Sequence, residues 1–145
     1  MQIKFVASRL VGLTLGACAI VGSPALADTM SYKAELQGSQ EVPAITTKGS
    51  GTADLTYDTA TKKLTWKVTF SGLSGPATAA HFHGPAEAGK NAGVAVPIAG
   101  TASPMDGSAT LTDAQAADLA GGKWYVNIHT GENKGGELRG QVVKK

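Results

Sequence analysis

Three histidines are the only side chains in this 145-residue chain whose types and spacing suggest metal chemistry. Two stand one residue apart in Ala79-Ala80-His81-Phe82-His83-Gly84-Pro85, and the third lies in Trp124-Tyr125-Val126-Asn127-Ile128-His129-Thr130. Both runs read as strands, where residues i and i+2 share a face. His81 and His83 then project the same way, with Cβ atoms roughly 6–7 Å apart, and Phe82 points into the core. Two imidazoles at that spacing can converge on one metal ion at about 2.0–2.1 Å from each nitrogen. In the second run Trp124, Val126 and Ile128 alternate toward the core, which leaves Tyr125, Asn127 and His129 on the opposite face. If the strands are neighbours, the three imidazoles form one site on the outer sheet face. A polar strand face without metal is the competing reading of a His-x-His pair.

The elements that must position these residues are short strands separated by Gly, Pro, Asp and Ser clusters. Strands are expected at 31–36, 51–57 and 63–70. Leu64, Trp66, Val68 and Phe70 face inward in the last of these, with Trp66 as a core anchor. Residues 37–50 form a long polar connection. The histidine strand is followed by a glycine-rich loop at 84–93 and a short strand at 94–98, which Pro97 confines to an edge. A strand at 106–111 precedes the single helical segment, 112–119, with Thr112 as N-cap and Gln115 as its capping-box partner. The strand at 124–130 and a last one at 137–143 complete the chain. Seven or eight short strands and one helical turn predict an all-β fold, a Greek-key sandwich or barrel.

Lys4 and Arg9, the apolar residues 10–21 and Ala25-Leu26-Ala27 have the organisation of a secretory signal peptide over residues 1–27, which leaves 28–145 as one domain. Leu15-Gly16-Ala17-Cys18 offers a competing lipoprotein signal anchored at Cys18. The apolar run is too short to favour a spanning helix, so no transmembrane segment is expected in the mature chain, and export to the periplasm or outside the cell follows. The sole cysteine, Cys18, leaves with the signal, so neither a disulfide nor a thiolate ligand is expected. Lys4 and Arg9 account for the formal net charge of +2. The balanced remainder has no basic run interleaved with aromatics and argues against nucleic-acid binding.

Several stretches carry a resemblance. Tyr32-Lys33-Ala34-Glu35-Leu36 with Glu41-Val42-Pro43, Ala80-His81-Phe82-His83-Gly84-Pro85, Leu111-Thr112-Asp113-Ala114-Gln115, Trp124-Tyr125-Val126-Asn127-Ile128-His129-Thr130 and Gly136-Glu137-Leu138-Arg139-Gly140-Gln141-Val142 resemble the CHRD (chordin) domain, in the family's order. The resemblance implies a secreted protein with an immunoglobulin-like sandwich or β-barrel, distantly similar to copper–zinc superoxide dismutase. The dismutase likeness implies copper ligands at His81, His83 and His129, and an anion-guiding role for Arg139. Arg139 can equally be a sheet-face residue bridged to Glu137 or Asp118. No histidine remains for a metal-bridging ligand, no His-rich loop follows His83, and no cysteine pair is present. A mononuclear site is therefore what the residues support.

Three imidazoles without thiolates suit copper first and zinc as the alternative. Glu87, Asp106 or Glu132 could supply an extra oxygen ligand, though each also reads as a solvated charge, and Tyr125 and Asn127 could orient the ligands from behind. No catalytic set of side chains can be assembled. The preferred reading is a metal-binding domain. A module recognising an extracellular protein or glycan without metal is the alternative, and a mononuclear copper redox enzyme stands third.

Overall fold

A computed structural model describes residues 28–145; the expected leader, with Cys18, lies outside the described residues. The described residues form nine strands: β1 (Thr29–Gln37), β2 (Ser50–Asp58), β3 (Lys63–Ser71), β4 (Ala77–His83), β5 (Val94–Ile98), β6 (Met105–Thr110), β7 (Tyr125–Thr130), β8 (Leu138–Gln141) and β9 (Val143–Lys144). One helix, α1 (Asp113–Ala120), precedes β7. The hydrogen-bonded order is β5-β4-β7-β8-β1-β2-β3-β6, with β9 on β1, and every pairing is antiparallel. The two end strands, β5 and β6, touch, so the sheet curls into a nearly closed barrel. With β7 beside β4 and β6 beside β3, the chain follows the Greek-key pattern in which a strand returns past its sequence neighbours. The expected all-β architecture is therefore present. The strand total exceeds the expectation because the run at 137–143 divides into β8 and β9.

Alternation builds the barrel interior. Tyr32, Ala34 and Leu36 of β1, Ala53, Leu55 and Tyr57 of β2, and Leu64, Trp66 and Val68 of β3 are all buried. Trp66 meets Phe82 edge-on at 5.1 Å, and Phe82 lies 5.8 Å from Trp124. Phe82 is 0% exposed, and a side chain of that size contributes about 1.5–3 kcal/mol by leaving water. That burial fixes which face of β4 its two flanking histidines occupy. A β-bulge supports the same parity. The register between β4 and β7 shifts between Ala77 and Ala79, so Ala77 and Ala80 both turn inward despite their odd spacing. Beyond the bulge, Ala80 and Phe82 face in while His81 and His83 face out.

The remaining elements follow their local chemistry. Pro97 lies on β5, an end strand of the hydrogen-bonded order. Thr112 caps α1, with Gln115 N–H donating to Thr112 Oγ1 at 3.2 Å and Thr112 N–H to Gln115 Oε1 at 3.0 Å. Gln115 Nε2 also donates to the Ala95 carbonyl at 3.1 Å and ties the helix to β5. No helix among the described residues is long and apolar enough to cross a membrane.

Candidate metal centre

β4 and β7 are hydrogen-bonded neighbours, with Ala79 opposite His129, His81 opposite Asn127 and His83 opposite Tyr125. One nitrogen from each of His81, His83 and His129 falls within 4.8 Å of the other two. All three side chains are partly exposed. His81 Nδ1 lies 3.2 Å from His129 Nε2. Two nitrogens on one tetrahedral ion at 2.0–2.1 Å stand about 3.3 Å apart, so this pair is already at ligand spacing. The structure thus contains a three-histidine group able to hold a metal ion.

Hydrogen bonds set which nitrogen each ring offers. His83 Nδ1 donates to the Ala92 carbonyl at 3.0 Å, and His129 Nδ1 donates to the Lys134 carbonyl at 2.9 Å. A carbonyl only accepts, so both rings carry the proton at Nδ1 and present a bare Nε2. This is the backing arrangement found behind metal-ligating imidazoles. The His83 Nε2 is buried and has no hydrogen-bond partner, a condition that buried polar atoms rarely tolerate without a reason. His81 completes the set through Nδ1. With His129 Nε2 bare, the proton between the two rings belongs to His81 Nδ1, and moving it to Nε2 of the same ring frees the third donor. Burial lowers the pKa of His81 below 6.5, helped by the neighbouring His129 and His83. Burial also lowers that of His83, and the charges of His129 and Arg139 add to this against the opposing Ala92 hydrogen bond. Neutral imidazole, the form that binds metal, is favoured in both.

Behind the histidines, Tyr125 and Asn127 lie outside the hydrophobic core cluster, as alternation predicts, yet that outer face is covered and both residues are only 3% exposed. The 84–93 loop and the connection after β1 fold across it: Asn91 Nδ2 donates to the Val42 carbonyl at 3.3 Å and Gln141 Nε2 to the Ala86 carbonyl at 2.9 Å. Tyr125 stacks on His83, with 4.9 Å between ring centres and 3° between planes, and its hydroxyl donates to the Ala92 carbonyl at 3.2 Å. Asn127 Nδ2 donates to Glu41 Oε1 and to the Leu138 carbonyl. Arg139, opposite Asn127 on β8, does not pair with Glu137 or Asp118. Its guanidinium lies 3.6 Å above the Tyr125 ring and donates to Asn91 Oδ1 at 2.8 Å and to the Lys90 carbonyl at 2.5 Å.

The three carboxylates considered as extra ligands do not join the histidine group. Asp106 sits on β6 opposite Lys67 of β3 and is exposed. Glu87 and Glu132 are exposed loop residues. Sequence reasoning missed Glu41 and the Ala92 and Lys134 carbonyls. Glu41 stands beside Pro43 in a polar stretch that reads as a solvated connection, and backbone carbonyls leave no trace in residue type. One faint signal existed: Gly136 has φ +129, and a Cβ there would run into the Asn127 amide and the Glu41 carboxylate, so the glycine marks a close approach.

Glu41 gives a test of this covered layer. Burial raises its pKa from 4.5 to about 7 against the opposing Asn127 hydrogen bond and Arg139 charge. A carboxyl whose folded pKa is raised contributes its full stability below the unfolded value, and that stability is lost as pH rises through the folded value. Glu41→Gln keeps the acceptor for Asn127 and removes the buried charge. It should therefore be more stable than the wild type at pH 8, by about 1–3 kcal/mol, with the difference closing near pH 4.5. Urea midpoints at the two pH values check this, and an equal difference at both would show Glu41 to be solvated.

The family model of the CHRD domain matches residues 32–142. No curated protein and no solved structure matches the chain.

Proposed function

The chain belongs to the CHRD-domain family, and on that premise we propose that it is an exported domain binding one metal ion, copper in preference to zinc, through His81 Nδ1, His83 Nε2 and His129 Nε2. The observation that carries this reading is the His83 Nε2, buried and unpartnered, on a ring that belongs to a group of three histidines with one nitrogen each within 4.8 Å of the others. If the histidines only tied down loops, the His83–Ala92 and His129–Lys134 bonds would be accounted for, but three converging nitrogens would not. Three neutral imidazoles without thiolate favour Cu(II), which outranks Zn(II) in affinity for a nitrogen site. A bound ion would supply Lewis acidity or one-electron chemistry, and the chain's own residues hold and orient it. No general acid, base or nucleophile beside the histidines is assigned, so storage, delivery or protection is proposed rather than turnover. Export rests on the expected signal at 1–27.

Calorimetric titration of untagged protein with Cu(II) and with Zn(II) tests the proposal: one equivalent of ion, with copper tighter, is the expected result. Absence of saturable binding for either ion would leave the protein- or glycan-recognition reading. A pH dependence follows from the lowered pKa values of His81 and His83. At His81 and His83 protons compete only below the ordinary histidine range, so affinity should change little between pH 7 and 8. At about pH 5 it should be weaker by roughly an order of magnitude or more. Equal affinity at pH 5 and 7.5 would contradict imidazole ligation.

A further inference from the structure

Arg139 is a buried cation, 2% exposed, and among the described residues it forms no salt bridge. Burying a guanidinium away from a paired carboxylate is costly, so the contacts it does make are informative. Both of its hydrogen bonds go to one segment, Nη1 to Asn91 Oδ1 and Nη2 to the Lys90 carbonyl, while its flat face rests on Tyr125. That segment belongs to the 84–93 connection between β4 and β5, which contains Gly84, Gly89 and Gly93 and no strand or helix of its own. The next residue, Ala92, is held on both sides. Its N–H donates to the Tyr125 hydroxyl at 3.1 Å, and its carbonyl accepts from that hydroxyl and from His83 Nδ1.

We infer that Arg139 is a positioning residue for the histidine centre: by clamping Lys90 and Asn91 against the Tyr125 ring, it holds the Ala92 carbonyl where it keeps the His83 proton on Nδ1 and leaves Nε2 bare for a metal ion. The inference deepens the metal-binding proposal and rests on it for its purpose, though not for its geometry. Arg139 forms no hydrogen bond with any of the three histidines; its contacts reach His83 through Tyr125 and Ala92, and its charge also acts on that ring. The planar fork explains why arginine serves here. Lysine would retain the charge but could not span Asn91 Oδ1 and the Lys90 carbonyl while lying flat on an aromatic ring.

The test compares wild type, Arg139→Lys and Asn91→Ala as full-length, untagged proteins by two readouts. The first is the His83 tautomer in metal-free protein, read from imidazole 15N correlation spectra. The second is Cu(II) affinity by calorimetry. Wild type should show a single Nδ1-protonated His83. Arg139→Lys should show a mixture of tautomers and a Cu(II) affinity lower by about 10–100-fold, the scale of losses from residues that orient ligands. Asn91→Ala alters an exposed loop side chain, should fold normally and should shift both readouts the same way by less; it decides the matter if Arg139→Lys does not fold. An unchanged His83 tautomer in the folded variants overturns the inference, whether or not affinity falls, and so does an altered tautomer with unchanged Cu(II) affinity. If wild type binds no Cu(II), the metal-binding proposal fails, and the tautomer comparison still decides whether Arg139 positions His83.

Discussion

Alanine at His81, His83 or His129 is expected to weaken Cu(II) binding by at least about 100-fold in each case. Losing a residue that merely orients a ligand costs 10–100-fold, so losing one of three coordinate bonds should cost at least as much as the upper end. The three substitutions should be similar in effect because two imidazoles make a poor site, whichever two remain. Folding should survive, since each ring is partly exposed and none belongs to the hydrophobic core. His83→Ala gives up its Tyr125 stacking and the Ala92 hydrogen bond, a loss of about 1 kcal/mol. Calorimetric titration of the four proteins checks this. Equal weak binding by all four would make the histidines structural. Loss in the His81 and His83 variants alone would place His129 outside the centre and reduce it to a surface pair.

The second large effect is on stability. Glu137→Ala should destabilise the fold by about 3 kcal/mol at neutral pH. The Glu137 side chain is 0% exposed, and its carboxylate has no cationic partner among the described residues. Neutral donors surround it instead. Oε1 accepts from Thr47 Oγ1 at 2.6 Å and the Ser74 amide at 2.8 Å. Oε2 accepts from Ser74 Oγ at 2.6 Å, Thr130 Oγ1 at 2.8 Å and Asn133 Nδ2 at 3.2 Å. One carboxylate thereby fastens the connection after β1, the turn before β4 and the β7–β8 loop. Burial alone would raise its pKa, but the bonds from Ser74, Thr47 and Thr130 outweigh that and hold it at about 2, against 4.5 ordinarily. A depressed carboxyl pKa means stability present above the unfolded value and lost as pH falls through the folded one. Guanidinium denaturation at pH 7 should show a lower midpoint for Glu137→Ala with an unchanged slope. The gap should shrink as pH falls from about 4.5 toward 2, because the wild type is losing the same interaction. A loss under about 1 kcal/mol at pH 7 would show the network to be incidental.

The parts of this molecule visible in its sequence are those written in alternation and capping. Leu64, Trp66 and Val68 mark β3, Thr112 and Gln115 mark the start of α1, and Pro97 marks an end strand; all three depend on residue type and local spacing alone. The two histidine strands were legible for the same reason, since Phe82 and the Trp124, Val126, Ile128 set fix their faces. The hidden parts depend on what folds over those faces from far along the chain. Tyr125 and Asn127 alternate as an outward face, and only the arrival of the 84–93 loop and Glu41 buries them. Arg139 could be placed on a strand face but not assigned its partners, because two of its contacts are a backbone carbonyl and the loop asparagine Asn91. Glu137 is visible in sequence only as part of a CHRD-like stretch and as a candidate partner of Arg139; its role is hidden, since its donors come from Thr47, Ser74, Thr130 and Asn133, scattered across the chain.

The central claim is that three imidazoles share one ion, and pulsed electron paramagnetic resonance of the untagged protein with one equivalent of Cu(II) counts them directly through the remote-nitrogen modulation. Three equatorial imidazoles in the wild type, falling to two in His129→Ala, is the predicted result. A wild-type spectrum with two imidazoles or fewer, unchanged in His129→Ala, would contradict it.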